Sequence, residues 1–122
     1  MLFLCYIYEL VSYLCFPDIL ETEYMRSHLL IGAASSGSGK TTFTLGLLRA
    51  LRSRSLRVQP FKCGPDYIDT KHHAMAVGEE SVNLDSYMAS AAHVRELYAR
   101  YGAASDVCVT EGVMGLFDGY DG

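Results

Sequence analysis

Three groups of residues in this sequence are of types and spacings that can do chemistry. The first is Ala34-Ser35-Ser36-Gly37-Ser38-Gly39-Lys40-Thr41, with Thr42 behind it. Glycines at this spacing let the backbone turn tightly and gather several N–H groups into one concavity. A Lys-Thr pair at the mouth of a helix then suits a nucleotide. Lys40 reaches the β- and γ-phosphates of ATP, and the Thr41 hydroxyl sits on Mg²⁺. Ser35, Ser36, Gly37, Ser38, Gly39 and Thr42 complete the cradle. The usual pattern opens on Gly where this chain has Ala34, and Gly32, two residues earlier, shifts the first turn. A Gly/Ser turn before a helix is the plainer reading. The agreement of strand, glycines, Lys-Thr and helix favours the nucleotide.

The second group is Cys63-Gly64-Pro65-Asp66-Tyr67-Ile68-Asp69, where Gly-Pro and two aspartates mark a loop. The third is Glu111, the acid that ends Asp106–Glu111, followed by a glycine-rich tail to Gly122 with Asp118 and Asp121. An apolar strand ending in an acid before Gly112 has the look of a Walker-B-type edge. Mg²⁺ takes one or two carboxylates together with phosphate oxygens and water. Asp66 and Glu111 are the expected carboxylates. In the plainer reading Asp69 caps a helix, Asp66 shapes a turn and Glu111 is a solvated strand end.

The elements that must position these groups follow from hydrophobic pattern. His28 to Ala34 reads as a buried strand of a parallel sheet. Lys40 to about Arg54 reads as a helix whose inward face is Phe43, Leu47, Leu48 and Leu51. Leu56 to Lys62 reads as a second strand, provided the missing N–H of Pro60 falls at an edge or bulge. A helical turn is expected from Lys71 to Val77, with His72 and His73 as surface or supporting groups, not paired metal ligands. Ser81 to Asp85 reads as extended. Ala91 to Arg100 reads as an amphipathic helix through Val94, Leu97 and Tyr98, stopped at Gly102. Asp106 to Glu111 is the third strand. Strands alternating with helices define an α/β class with a parallel sheet. Ligands then sit beyond the C-terminal strand ends, and the three groups fall on that edge.

Composition narrows the options. The net charge of −4 gives no basic footprint for nucleic acid. Residues 1–25 hold four acids and no Lys or Arg, whereas the rest holds ten acids and ten bases. The leader 1–25 is therefore compositionally foreign. Its apolar run, residues 1–16, is short for a membrane span and lacks the basic start of a signal peptide. Met25, just before the nucleotide pattern, is the expected true start. The four cysteines have neither CxxC nor zinc spacing, as suits reduced thiols of a cytoplasmic protein.

SSGSGKTT, VQPFKCGPDYID, NLDSYM and VTEGVMGLFDG together resemble the amino-terminal part of the cobyrinic acid and hydrogenobyrinic acid a,c-diamide synthases. The likeness runs from about His28 to Gly122. It implies a dethiobiotin-synthetase-like P-loop fold that uses Mg·ATP to phosphorylate the a and c carboxylates of a corrinoid. Ammonia, released from glutamine in a carboxy-terminal glutaminase domain, then displaces phosphate. By motif position, Asp66 and Glu111 would hold or orient Mg²⁺, with Asp69 and Asp118 assisting. Tyr67 and Ile68 would meet the corrinoid, and Lys62 a phosphate or the substrate carboxylate. The family often has Gly-Thr where this chain has Ala33-Ala34. With no glutaminase part present, residues 26–122 are expected to be an amino-terminal fragment that does not turn over by itself. Cobyric acid synthase, dethiobiotin synthetase and a sirohydrochlorin diamide synthase are the nearest rivals. A partition-type ATPase switch is a rival of another class, but Ser35 stands where its characteristic lysine would be. A non-functional remnant is the third alternative.

Overall fold

The computed structural model describes residues 27–115. The leader 1–25 and the tail beyond Gly115 lie outside them. In chain order the elements are β1 (Ser27–Ile31), α1 (Lys40–Ser53), β2 (Val58–Cys63), α2 (Ile68–Val77), β3 (Val82–Leu84), α3 (Ala91–Gly102) and β4 (Val107–Glu111). The four strands form one parallel sheet in the order β1-β4-β2-β3. The α/β class is as expected, with four strands in place of three because Val82–Leu84 pairs with Phe61–Cys63.

Side chains alternate between the faces of a strand, so the sheet divides the core in two. On one face Ile31, Val58, Val107 and Val109 pack under Leu48 of α1 and Val77 of α2, with Phe43, Leu47 and Leu51 at the margin. On the other, Phe61, Val82 and Cys108 pack against Leu97, Tyr98 and Tyr101 of α3. Each fully buried Val or Leu contributes about 1.5–3 kcal/mol.

Several boundaries differ from the sequence reading, each for a local reason. β1 ends at Ile31, because the chain turns into the phosphate loop from Gly32 onward. Gly37 and Gly39 are the loop glycines in the left-handed region, with φ of 74° and 82°; Gly32 is not among the positive-φ residues. Instead Ala33 is fully buried. Pro60 lies inside β2, opposite Val109 of β4, but β3 pairing begins only at Phe61. The sheet therefore has a neighbour on one side only at Pro60, which is the condition a strand proline needs. α2 starts at Ile68, three residues ahead of the expected Lys71, because the Asp66 carboxylate accepts from the N–H groups of Ile68 and Asp69 at 2.9 and 3.1 Å. That cap satisfies N–H groups a helix start leaves orphaned. α3 runs through Gly102 and is capped by Ser90, which accepts from His93 N–H.

Candidate active site

Strand register brings the site together. Glu111 ends β4 opposite Ile31 of β1 on one side and Lys62 of β2 on the other. Glu111 and Lys62 share a sheet face with Val109 and Pro60, the face covered by α1 and α2. Residues distant in sequence thus meet at the C-terminal edge of the sheet.

The loop from Gly32 to Gly39 joins β1 to α1. Within it the Ser35 and Ser38 hydroxyls lie 2.9 Å apart, and Ser38 Oγ donates to the Ser35 carbonyl. The α1 N-cap is Gly39, and no side chain caps this helix, unlike α2 and α3. Its first-turn N–H groups face outward at the positive end of the helix dipole, a ready site for an anion. Lys40 is buried, and its Nζ donates to the Met114 carbonyl at 2.6 Å. Met114 holds a left-handed φ of 47°.

Thr41 Oγ1 lies 2.7 Å from Glu111 Oε1 and 3.3 Å from Asp69 Oδ2. Lys62 Nζ stands between the same two acids, 3.0 Å from Asp69 and 3.3 Å from Glu111, and donates to the Gly112 carbonyl. The far oxygen of Glu111, Oε2, receives His73 Nε2 at 2.6 Å. Glu111 and His73 are both fully buried. Burial alone would raise the Glu111 pKa; the His73 and Thr41 hydrogen bonds and the Lys62 charge outweigh it and hold the carboxyl below its ordinary range. Burial alone would likewise lower Lys62, but Asp69 and Glu111 push the ammonium above its ordinary value. Asp66 is held low: its slight burial is outweighed by the Asp69 and Ile68 N–H groups it caps.

A cavity of about 440 Å³ opens over these groups. The loop lines it with Ser36, Gly37 and Gly39, and α1 with Lys40, Thr41 and Thr42. Lys62, Asp66, Asp69, Glu111, Val113 and Met114 complete the lining. Ser35 and Ser38 do not line it. Tyr67 and Ile68 are outside it and largely exposed. Tyr67 instead borders a second hollow with Lys71, Asn83 and Tyr101. Asp118 lies outside the described residues.

The structure divides two pairs of residues that the sequence reading left together. Asp66, expected as a Mg²⁺ carboxylate, caps the start of α2, and Asp69, expected only to assist, is the acid beside Thr41. Of the surface and supporting roles expected for the two histidines, His73 takes the supporting one as the buried partner of Glu111, and His72 is the exposed member of the pair. The available signal was spacing: Asp69 and His73 are four residues apart, hence on one helix face.

The donor set suits Mg²⁺, which prefers hard oxygens and few protein ligands. A hydroxyl and two carboxylates converge here, and among the described residues no set of three or more His, Cys, Asp or Glu side chains forms a self-sufficient metal cage.

A parallel α/β sheet whose first strand leads through a glycine loop to an uncapped helix, with Lys40 and Thr41 at its mouth, defines a P-loop nucleotide-binding domain. The pattern described as the CobQ/CobB/MinD/ParA nucleotide binding domain matches residues 29–109, and the chain belongs to that family. It is 56% identical over 92 residues to cobyrinate a,c-diamide synthase of Listeria monocytogenes serotype 4b, covering 75% of this chain and 20% of that protein. It is 53% identical over 96 residues to the Salmonella typhimurium protein of the same name, covering 78% and 21%. With hydrogenobyrinate a,c-diamide synthase of Rhodobacter capsulatus it shares 56% over 91 residues, covering 75% and 21%. The chain thus spans about a fifth of the length of these relatives. Among the described residues no helix is long and apolar enough to cross a membrane.

Proposed function

We propose that residues 26–122 are the amino-terminal, ATP-binding part of an enzyme that amidates the a and c carboxylates of cobyrinic or hydrogenobyrinic acid. The observation that supports this best is the phosphate loop closed through Thr41 onto Glu111, in a chain 53–56% identical to synthases of that name.

A carboxylate is a poor acyl donor because oxide would have to leave. A substrate carboxylate oxygen attacks the γ-phosphorus of ATP, the bond to the β-γ bridging oxygen breaks, and ADP departs. Ammonia, drawn from glutamine, then attacks the acyl carbon and displaces inorganic phosphate, leaving the amide and losing a proton. Two polyanions must meet for the first step, so neutralising and positioning charge is most of the catalysis. Lys40 exchanges the Met114 carbonyl for a phosphate oxygen. The α1 N-terminus and the loop N–H groups hold the β-phosphate. Thr41, Glu111 and Asp69 would hold or orient Mg²⁺, with Asp66, which caps α2 and lines the same cavity, and Asp118 assisting. Mg²⁺ bound there would supply positive charge to offset that of the phosphates. Lys62 stands beside it, poised for a phosphate or the substrate carboxylate. Tyr67 and Ile68, exposed at the start of α2, meet the corrinoid.

The test is isotopic. The intact protein is given Mg·ATP, glutamine and a corrinoid whose carboxylates carry a heavy-oxygen label. Label in the released phosphate, one atom for each amide formed, is the expected result. Amide formation with unlabelled phosphate contradicts the acyl-phosphate route, and no amide at all contradicts the assignment.

A further inference from the structure

We propose that His73 is a positioning residue for phosphoryl transfer: it grips one oxygen of Glu111 so that the other stays turned to Thr41. The inference rests on the proposed Mg·ATP site and adds a residue to it.

The two oxygens of Glu111 face different surroundings. Oε1 is met by Thr41 at 2.7 Å and Lys62 at 3.3 Å on the cavity side. Oε2 is met by His73 Nε2 at 2.6 Å inside the protein. An ionised carboxylate only accepts, so Nε2 carries the hydrogen. In the neutral ring the Ser81 hydroxyl, 3.1 Å from Nδ1, then donates to that nitrogen. Ser81 sits just ahead of β3, so the ring is held from two sides. The last torsion of a glutamate is soft and roughly two-fold. Without the inner contact, the carboxylate is free to turn away from Thr41. Asp69, one helical turn before His73, reaches Thr41 and Lys62 from the same helix. α2 therefore sets both carboxylates of the site, Asp69 directly and Glu111 through His73.

A purely structural role would require only that the buried ring be replaced by something polar that fits. His73→Gln and His73→Asn separate the two ideas. A glutamine amide reaches the Nε2 position and can still donate to Glu111, whereas an asparagine amide reaches only the Nδ1 position, toward Ser81. The measurement is calorimetric ATP affinity of the intact protein with Mg²⁺ and with EDTA, alongside a thermal melt. The ratio of the two affinities isolates the metal contribution from folding and from binding of the nucleotide itself. In His73→Asn the Mg²⁺ enhancement falls by roughly tenfold or more, in the range seen when a group orienting a metal ligand is removed. His73→Gln restores most of it, and the affinity in EDTA is unchanged in both. Equal enhancement in Asn, Gln and wild type overturns the role of His73 while leaving the nucleotide site standing. Equal loss in Asn and Gln also overturns it. Absence of any Mg²⁺ enhancement in wild type overturns the site itself and the inference with it. Should His73→Asn not fold, Ser81→Ala carries the test: enhancement lowered severalfold supports the grip, and unchanged enhancement overturns it.

Discussion

The Thr41 hydroxyl lies 2.7 Å from Glu111 Oε1, joining the first turn of α1 to the end of β4 across 70 residues of sequence. The contact links the helix that follows the glycine loop to the strand that supplies the acid. Thr41→Val keeps the shape and removes the hydroxyl, while Thr41→Ser keeps the hydroxyl. A hydrogen bond to a charged group is worth about 1.5–3 kcal/mol. The valine variant is therefore expected to lose Mg²⁺-dependent ATP affinity on that scale by calorimetry, and the serine variant to retain most of it. Equal affinities in the two variants would remove the hydroxyl from the site.

Lys62 is the buried cation of the network. Losing one member of a buried ion pair costs about 3–5 kcal/mol, because the partner stays buried and uncompensated. Lys62→Met leaves two carboxylates, Asp69 and Glu111, without their cation. Its melting temperature is expected to fall sharply and to recover in part on adding Mg²⁺, to a greater extent than in wild type. A melt indifferent to Mg²⁺ contradicts this reading of the two acids.

The same network fixes the pH dependence. The folded pKa of Glu111 lies below its ordinary 4.5, so its contribution is present above that value and lost as pH falls through the folded pKa. The folded pKa of Lys62 lies above its ordinary 10.5, so its contribution is present below that value and lost as pH rises through the folded pKa. Between these limits the two contributions are constant. In denaturant titrations across pH, Glu111→Gln is expected to flatten the acid limb, and Lys62→Met the alkaline limb.

Gly112 is a steric requirement of the same corner. Its N–H donates to the Ile31 carbonyl at 2.9 Å, and a Cβ there would meet that carbonyl oxygen at 3.2 Å. The oxygen belongs to the backbone of β1 and has little room to yield. Gly112→Ala is expected to cost about 1–3 kcal/mol, the usual scale of overpacking. It is also expected to weaken ATP binding, because Ile31 leads directly into the phosphate loop. Unchanged stability together with unchanged affinity would show that β1 accommodates the methyl.

The site was legible in the sequence where chemistry and chain direction coincide. Gly37, Gly39, Lys40 and Thr41 follow one another, so their loop declares itself without tertiary information. Glu111 and the Asp66/Asp69 loop were legible because strand ends in a parallel sheet share an edge. What adjacency hid was the division of labour. Asp66 and Asp69 differ only in which side of the α2 start they occupy, and that is set by where the helix begins. His73 looked ordinary beside His72, because helix rotation, not residue type, sends one inward and the other to solvent. Pro60 argued against a strand until register showed that β3 starts one residue later. The short β3 owes its place to pairing with β2, which no local pattern of three residues announces.

The most direct test of the account is corrinoid-dependent hydrolysis of Mg·ATP by the intact protein, wild type against Glu111→Gln. The substitution keeps the side chain's size and removes the charge that Thr41, Lys62 and His73 converge on. Hydrolysis in wild type is expected to depend on the corrinoid and to be lost in a variant whose circular dichroism shows an intact fold. Full corrinoid-dependent hydrolysis in Glu111→Gln would contradict it.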